Sequence, residues 1–467
     1  AAAPGRAMPY RLSAFGDGGT VAAASRSRLP ALDPTALAGT GAALPAIEWE
    51  AHLRTRERML PPLPPPLPAP GPRILATPPA VGSRRDFKVY NKDGKFTTVT
   101  AEVKHVSDHA IIYQDVKAPK NGFSPADFAA FAAVFDDPIH DVTVAAFGQP
   151  SDRDQNGRVI ILFTPVVNAL TPRGSPGVVA GFFYGIDLYS KQDFAGSNEA
   201  EIFYTMAPDP AAEHSDRRTV AQVFEQVPPI LAHEFQHMIA FNQRRFLAKA
   251  TSDEELWLAE GLAHMAEELV GEELLRRGNL SDGLDFQRPN RIRASLYLSR
   301  PDTVGLLAAS DDFGNLALRG AAWLLLAYLR AQTGSDGILA ALTRSTLSGA
   351  ANVADRFGKP WNEVFNDWAV ALWTDDALPA GAALDPRFTF PGIELRKIYA
   401  AGFPLAPAQL PFDDFAAQDT LASGTPDYLL VRAGTGHPPS LFLTLGGTPE
   451  RAFASDAAPQ ITVVRVK

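Results

Sequence analysis

Alternating and helical hydrophobic patterns divide this chain into stretches of different texture. Residues 1–60 are rich in Ala, Arg and Pro and show no sustained period, apart from Ile47 to Leu60, which suits a short helix. The run from Pro61 to Pro72 is mostly proline and favours a stiff polyproline II spacer, so residues 61–82 read as a linker. From Phe87 the pattern alternates. Phe87–Tyr90, the turn Asn91–Gly94, Phe96–Val106 and His109–Tyr113 predict a small antiparallel sheet. Ser124 before Pro125 opens a helix through Phe128, Phe131, Val134 and Phe135. Ile161–Phe163 reads as a buried strand, and Glu201–Met206 as another.

Helical periodicity takes over next. A helix is expected to start at Pro228 or Pro229, because proline suits a first turn and breaks an interior. Its apolar residues Ile230, Leu231, Phe235, Met238, Ile239 and Phe241 cover more than one face, which implies burial. Ser252-Asp-Glu-Glu255 has the form of a capping box announcing a helix from Leu256. Further helices are expected over Asn315–Gln332 and Trp361–Trp373. Beyond Pro391 the texture returns to strands, at Asp427–Arg432, Ser440–Leu445 and Gln460–Val466, in a β-sandwich-like arrangement. The fold class is therefore α+β.

Composition narrows the field. A chain of 467 residues is too long for one ordinary core and implies two or three domains. The net charge of −9 is dispersed, leaving no basic footprint for nucleic acid and no polybasic membrane patch. No apolar run reaches the length of a bilayer span. There is no cysteine, which excludes disulfides, a thiol nucleophile and thiolate-bound metal. The small-residue start Ala1-Ala-Ala-Pro4 suggests a processed end, and with it secretion.

The chemistry centres on His233-Glu234-Phe235-Gln236-His237. On a helix the two histidines sit one turn apart on one face, where they can hold one Zn²⁺, with Glu234 within reach of a metal-bound water. A buried helix with these side chains needs partners for them, and a metal supplies partners. Glu260, ringed by Trp257, Leu258, Leu262 and Ala263, is the expected third ligand, since a lone carboxylate would be costly there. His264, four residues on, can face the same cleft as a catalytic group, orient a ligand, or serve only as a core contact. Asp152, Asp154 and Asn156 have the spacing of the first half of a calcium loop, but Phe163 stands where the closing acid belongs.

The segment Trp257-Leu-Ala-Glu260-Gly-Leu-Ala-His-Met-Ala-Glu267 resembles the "WLNEGFA…E" segment of gluzincin metallopeptidases. More closely, the chain is similar to the hyicolysin family of neutral zinc metallopeptidases. The likeness rests on His109–Tyr113, Asp152–Gly157, Ser197–Tyr204, Leu231–Ile239 and the Glu260 helix, in that order, over roughly residues 85–275. It implies a zincin-like catalytic domain over 83–392, with a β-rich start at 85–118, the HExxH helix at 228–243 and a helical lobe at 253–375. A C-terminal β domain at 393–467 comes after it. It also implies Zn²⁺ on His233, His237 and Glu260, Glu234 as general base, and a protein or peptide substrate. The family's Asn before the ligand glutamate is Ala259 here, and no Tyr precedes Gly320 to steady the oxyanion, leaving His264, Tyr204, Tyr297 and Arg319 as candidates. These departures keep a non-catalytic binding protein as one alternative. An aminopeptidase is the other, with Glu199, Glu201 and Glu267 as acids for the substrate amine.

Overall fold

The computed structural model describes residues 7–15, 22–23, 44–61, 77–175, 177–307, 315–375, 377, 384–399, 402–411, 415–432, 442–448 and 459–465. Residues 62–76, which hold all of the proline run but Pro61, lie outside them. The architecture is α+β. Two compact units emerge: one comprises Thr40–Asn290 with Asp336–Arg356, the other Ala1–Gly39, Arg291–Ser335 and Phe357–Lys467.

The first of these units is built on a mixed sheet. Its strands are β1 (Arg84–Tyr90), β2 (Phe96–Val106), β3 (Ala110–Asp115), β4 (Val159–Phe163), β5 (Gly181–Phe183) and β6 (Ile202–Thr205). They lie in the order β1-β2-β3-β4-β6-β5. The alternating stretch makes the antiparallel part, with Phe87 opposite Val99 and Val103 opposite Tyr113. β4, buried at every residue, then pairs parallel with β3 on one side and β6 on the other. Parallel strands need a crossover, and helices fill the one between β3 and β4. One of them, Pro125–Val134, opens on a complete capping box between Ser124 and Asp127. β6 is thus an interior strand. The edge on that side of the sheet is β5, antiparallel to β6 with Phe183 opposite Phe203.

Three helices of the same unit carry the side chains of the site: α1 (Leu44–Glu57), α2 (Val220–Phe241) and α3 (Leu256–Arg276). α2 packs against α3 and β5. It begins two turns before the expected start, with Thr219 and Gln222 forming its capping box, and carries Pro228 and Pro229 inside. The prolines cost the helix the donors to the carbonyls of Phe224 and Glu225. Those residues are partly exposed and exposed, so water can meet what the helix gives up. The start of α3 also differs from expectation. Its cap residue is Glu255, with no side-chain cap bond, so Ser252 is not the cap. The Glu255 carboxylate instead accepts from the Trp257 indole at 2.7 Å. The helix suited to Ile47–Leu60 exists, shifted to α1, with Leu53 fully buried.

In the other unit the strand Ala7–Phe15 lies in a four-stranded sheet between Phe442–Gly446 and Phe415–Ala422, antiparallel to both. Leu429–Arg432 pairs parallel with Ala408–Pro411. Residues 459–465 form no strand, against the expectation for Gln460–Val466. The expected helices appear as Leu316–Thr333 and Trp361–Thr374. Tyr297 and Arg319 belong to this unit, where Tyr297 stacks on Trp368 at 5.8 Å.

Candidate metal centre

Four residues make a little more than one helical turn, so on α2 His233 and His237 direct their Nε2 atoms to one point, 3.2 Å apart. Glu260 arrives from α3, with Oε2 3.4 Å from His233 Nε2 and Oε1 3.5 Å from His237 Nε2. Glu50 arrives from α1, with Oε1 3.1 Å from His233 Nε2 and 3.7 Å from His237 Nε2. Four donors, one from each residue, lie within 4.8 Å of one another.

These separations can be compared with a coordination sphere. Donors about 2.0–2.1 Å from a tetrahedral centre stand roughly 3.3–3.4 Å from each other. The separations that involve a histidine nitrogen run from 3.1 to 3.7 Å. Two carboxylates brought this close repel unless a positive charge lies between them, which a metal ion supplies when bound and a protonated His233 supplies otherwise. The residues present fit a nitrogen- and oxygen-liganded metal of the Zn²⁺ type.

Supporting groups fix the candidate ligands. His233 Nδ1 lies 2.7 Å from Glu267 Oε1, so the nitrogen away from the donor point is held by a carboxylate and the ring cannot turn. His264 Nδ1 takes the same oxygen at 2.9 Å, and its ring lies 4.8 Å from that of His233. His264 therefore stands behind His233 and not among the converging donors. Burial works to lower the His233 pKa, but Glu260, Glu267 and Glu50 outweigh it and raise it well above the usual value. His237 goes the other way, lowered to about 4 by burial and by Arg54.

Glu234 is buried one residue from His233. One carboxylate oxygen accepts from the Phe183 amide of β5 at 3.0 Å and from Arg54 Nη2 at 3.1 Å. Burial raises its pKa to about 7, against the pull of Arg54 and His233. Arg54 also donates to the Phe183 carbonyl at 3.2 Å and to Glu57 at 2.5 Å.

The other sequence candidates sit elsewhere. Asp152 and Asp154 do come together, but the acid that joins them is Glu201. The Asn156 side-chain oxygen accepts from the Arg158 amide and its nitrogen donates to Asp154, both at 2.7 Å. Tyr204 donates to Asp187 at 2.6 Å and accepts from Asn198 at 2.8 Å, inside the sheet. Of the acids considered for a substrate amine, Glu199 pairs with Lys191 at 3.5 Å, Glu201 accepts from Ser151 at 2.5 Å, and Glu267 supports His233.

Glu50, Arg54 and the supporting role of Glu267 were not legible from sequence. A Glu and an Arg four residues apart is what any solvated helix face looks like. Glu267 did carry a signal: it lies seven residues from Glu260, two turns along the same face of α3.

No family model matches the chain. It is similar to the neutral metalloprotease ShpI of Staphylococcus hyicus, 33% identical over 135 residues. That stretch covers 29% of this chain and 29% of the relative, so less than a third of either is matched. A likeness to a metalloprotease and a group of residues able to hold a metal thus coincide in one chain. No helix among the described residues is long and apolar enough to cross a membrane.

Proposed function

We propose that this protein is a zinc-dependent peptidase, an endopeptidase acting on protein or peptide substrates. The observation that carries the reading is the convergence of His233, His237 and Glu260 at coordination spacing beside a buried Glu234. A Zn²⁺ held there would polarise the scissile carbonyl and make its bound water acidic. The chain's own residues do the rest. Glu234 takes the water's proton and passes it to the leaving amine, and no covalent intermediate with the protein is needed. Glu267 keeps the His233 ring in one orientation, with His264 steadying Glu267 from behind. The Phe183 amide holds the Glu234 carboxylate in place. β5, at an edge of the sheet beside α2, would offer an extended substrate the Phe183 carbonyl once Arg54 releases it.

Glu234→Gln keeps the shape and the ligands but removes the base. It is expected to bind zinc as the wild type does, by elemental analysis, and to lose about 10²-fold or more of its rate on casein and on N-blocked peptides. A Gln variant that still cleaved at the wild-type rate would end this mechanism.

A further inference from the structure

The peptidase reading uses three protein ligands and leaves one position for solvent and substrate. The structure puts a fourth protein donor at that point. Glu50 Oε1 lies as near to His233 Nε2, at 3.1 Å, as the zinc-binding histidines lie to each other, at 3.2 Å. It comes from α1, an element with no part in the proposed chemistry.

One turn further along α1, four residues on, Arg54 meets two more parts of the site at once. It donates to the Glu234 carboxylate at 3.1 Å and to the Phe183 carbonyl at 3.2 Å. In an antiparallel pair the N–H and C=O of one residue point the same way. For Phe183 that is outward, away from β6, where the backbone of a bound peptide would pair. Both groups are taken: the N–H by Glu234 and the C=O by Arg54. The metal position, the base and the edge strand are all engaged by side chains of this one helix or locked in by them.

The helix is also well anchored. Trp49 packs edge-on against Phe182 of β5 at 5.5 Å and tilted against Tyr90 at 5.6 Å. Arg56 lies over Tyr90 at 5.2 Å and donates to Tyr184 at 3.2 Å. Glu57 accepts from the Gly185 amide at 2.6 Å, and its carbonyl accepts from Arg245 at 3.0 Å.

We propose that α1 is an autoinhibitory segment: Glu50 fills the metal's fourth position, while Arg54 occupies both the base and the main-chain acceptor of the edge strand. This rests on the peptidase reading. In this state the protein holds its metal and is latent, and the residual turnover of the full chain comes from the molecules in which α1 is undocked.

The test uses the full chain, loaded with Co²⁺ for spectroscopy and with Zn²⁺ for assay. In the wild type the cobalt absorption should not respond to azide, because no position is open to an exchangeable ligand. Glu50→Ala should make it azide-responsive with the metal content unchanged, and combined with Arg54→Ala, which frees the base and the edge strand as well, it should raise casein hydrolysis at least tenfold. Should the alanine variant not fold, Glu50→Gln keeps the side-chain volume and is read in the same way. A wild-type cobalt centre that already answers to azide overturns the proposal. So does a Glu50 variant that loses metal without gaining azide access, since Glu50 is then a permanent ligand. An azide response without any peptide cleavage, even in the variant that lacks both Glu50 and Arg54, upholds the role of α1 and instead ends the peptidase reading.

Discussion

At the residue scale, the least expected participant after Glu50 is Glu267. Its Oε1 serves two histidines at once, His233 at 2.7 Å and His264 at 2.9 Å. A carboxylate on the far nitrogen of a ligand histidine fixes the tautomer and makes the metal-facing nitrogen more basic. Glu267→Gln keeps the volume but removes the charge, and its amide can present a donor where the imidazole also has one. Zinc affinity should fall roughly 10–100-fold, measured by competition with a chromogenic chelator, while the far-ultraviolet circular dichroism stays as in the wild type. Unchanged affinity would make Glu267 a packing residue only. His264→Ala should act in the same direction and less strongly, because it would reach a bound metal only through Glu267 and the ring of His233.

At the scale of elements, α2 shows how a helix can carry two candidate ligands one turn apart despite two internal prolines. The donors lost to Pro228 and Pro229 fall in its first half, whereas His233–His237 lies in the second, buried half. The first half depends on its start. Thr219 accepts from the Gln222 amide at 3.2 Å, and the Gln222 side chain accepts in return from the Thr219 amide at 2.9 Å. Thr219→Ala should lower global stability by about 1 kcal/mol, seen as a shift in the urea midpoint, with zinc affinity unchanged. A loss of affinity in step with stability would show that the helix start and the ligand turns are one cooperative piece.

The same helix shows what local pattern reveals and what it does not. The His233–His237 spacing and the apolar setting of Glu260 are properties of a few neighbouring residues, and both were legible in the sequence. Where α2 begins was not, because proline's preference for a first turn is weaker here than the tertiary packing that carries the helix on to Val220. The cap of α3 went astray for a related reason: Ser252 has the right spacing to Glu255, but Glu255 bonds forward to Trp257. Strands β1 to β4 follow the alternating and apolar runs closely, whereas Ala7–Phe15 carries Pro9 within it, a residue that argues against an interior strand. Glu50 is the extreme case. It meets His233 across 183 positions of sequence, and nothing near it in the chain points there.

At the scale of the whole molecule, the two units share the chain in an interleaved way. The N-terminal strand Ala7–Phe15 pairs in one unit with Phe415–Ala422 and Phe442–Gly446, and α1 belongs to the other. The register is long: Ala7 to Ala14 lie opposite Ala422 to Phe415. Tyr10 and Leu12 are buried there against Leu410. A break in the chain on the C-terminal side of α1 would therefore leave a fragment still held by a central strand. Such a nicked protein should run as one species in gel filtration, with both pieces seen after denaturation. Separation of the pieces under native conditions would show the strand to be dispensable.

That central strand changes what removing an inhibitor means. A helix released by a single cut would not diffuse away; it would stay leashed, at an effective concentration fixed by the strand's hold and independent of how far the protein is diluted. Activity after a cut would then be set by a local equilibrium between docked and undocked helix, with peptide substrate competing for the same ground. Such a protein would be throttled by how much substrate surrounds it, where a freely departing segment would have made the switch final.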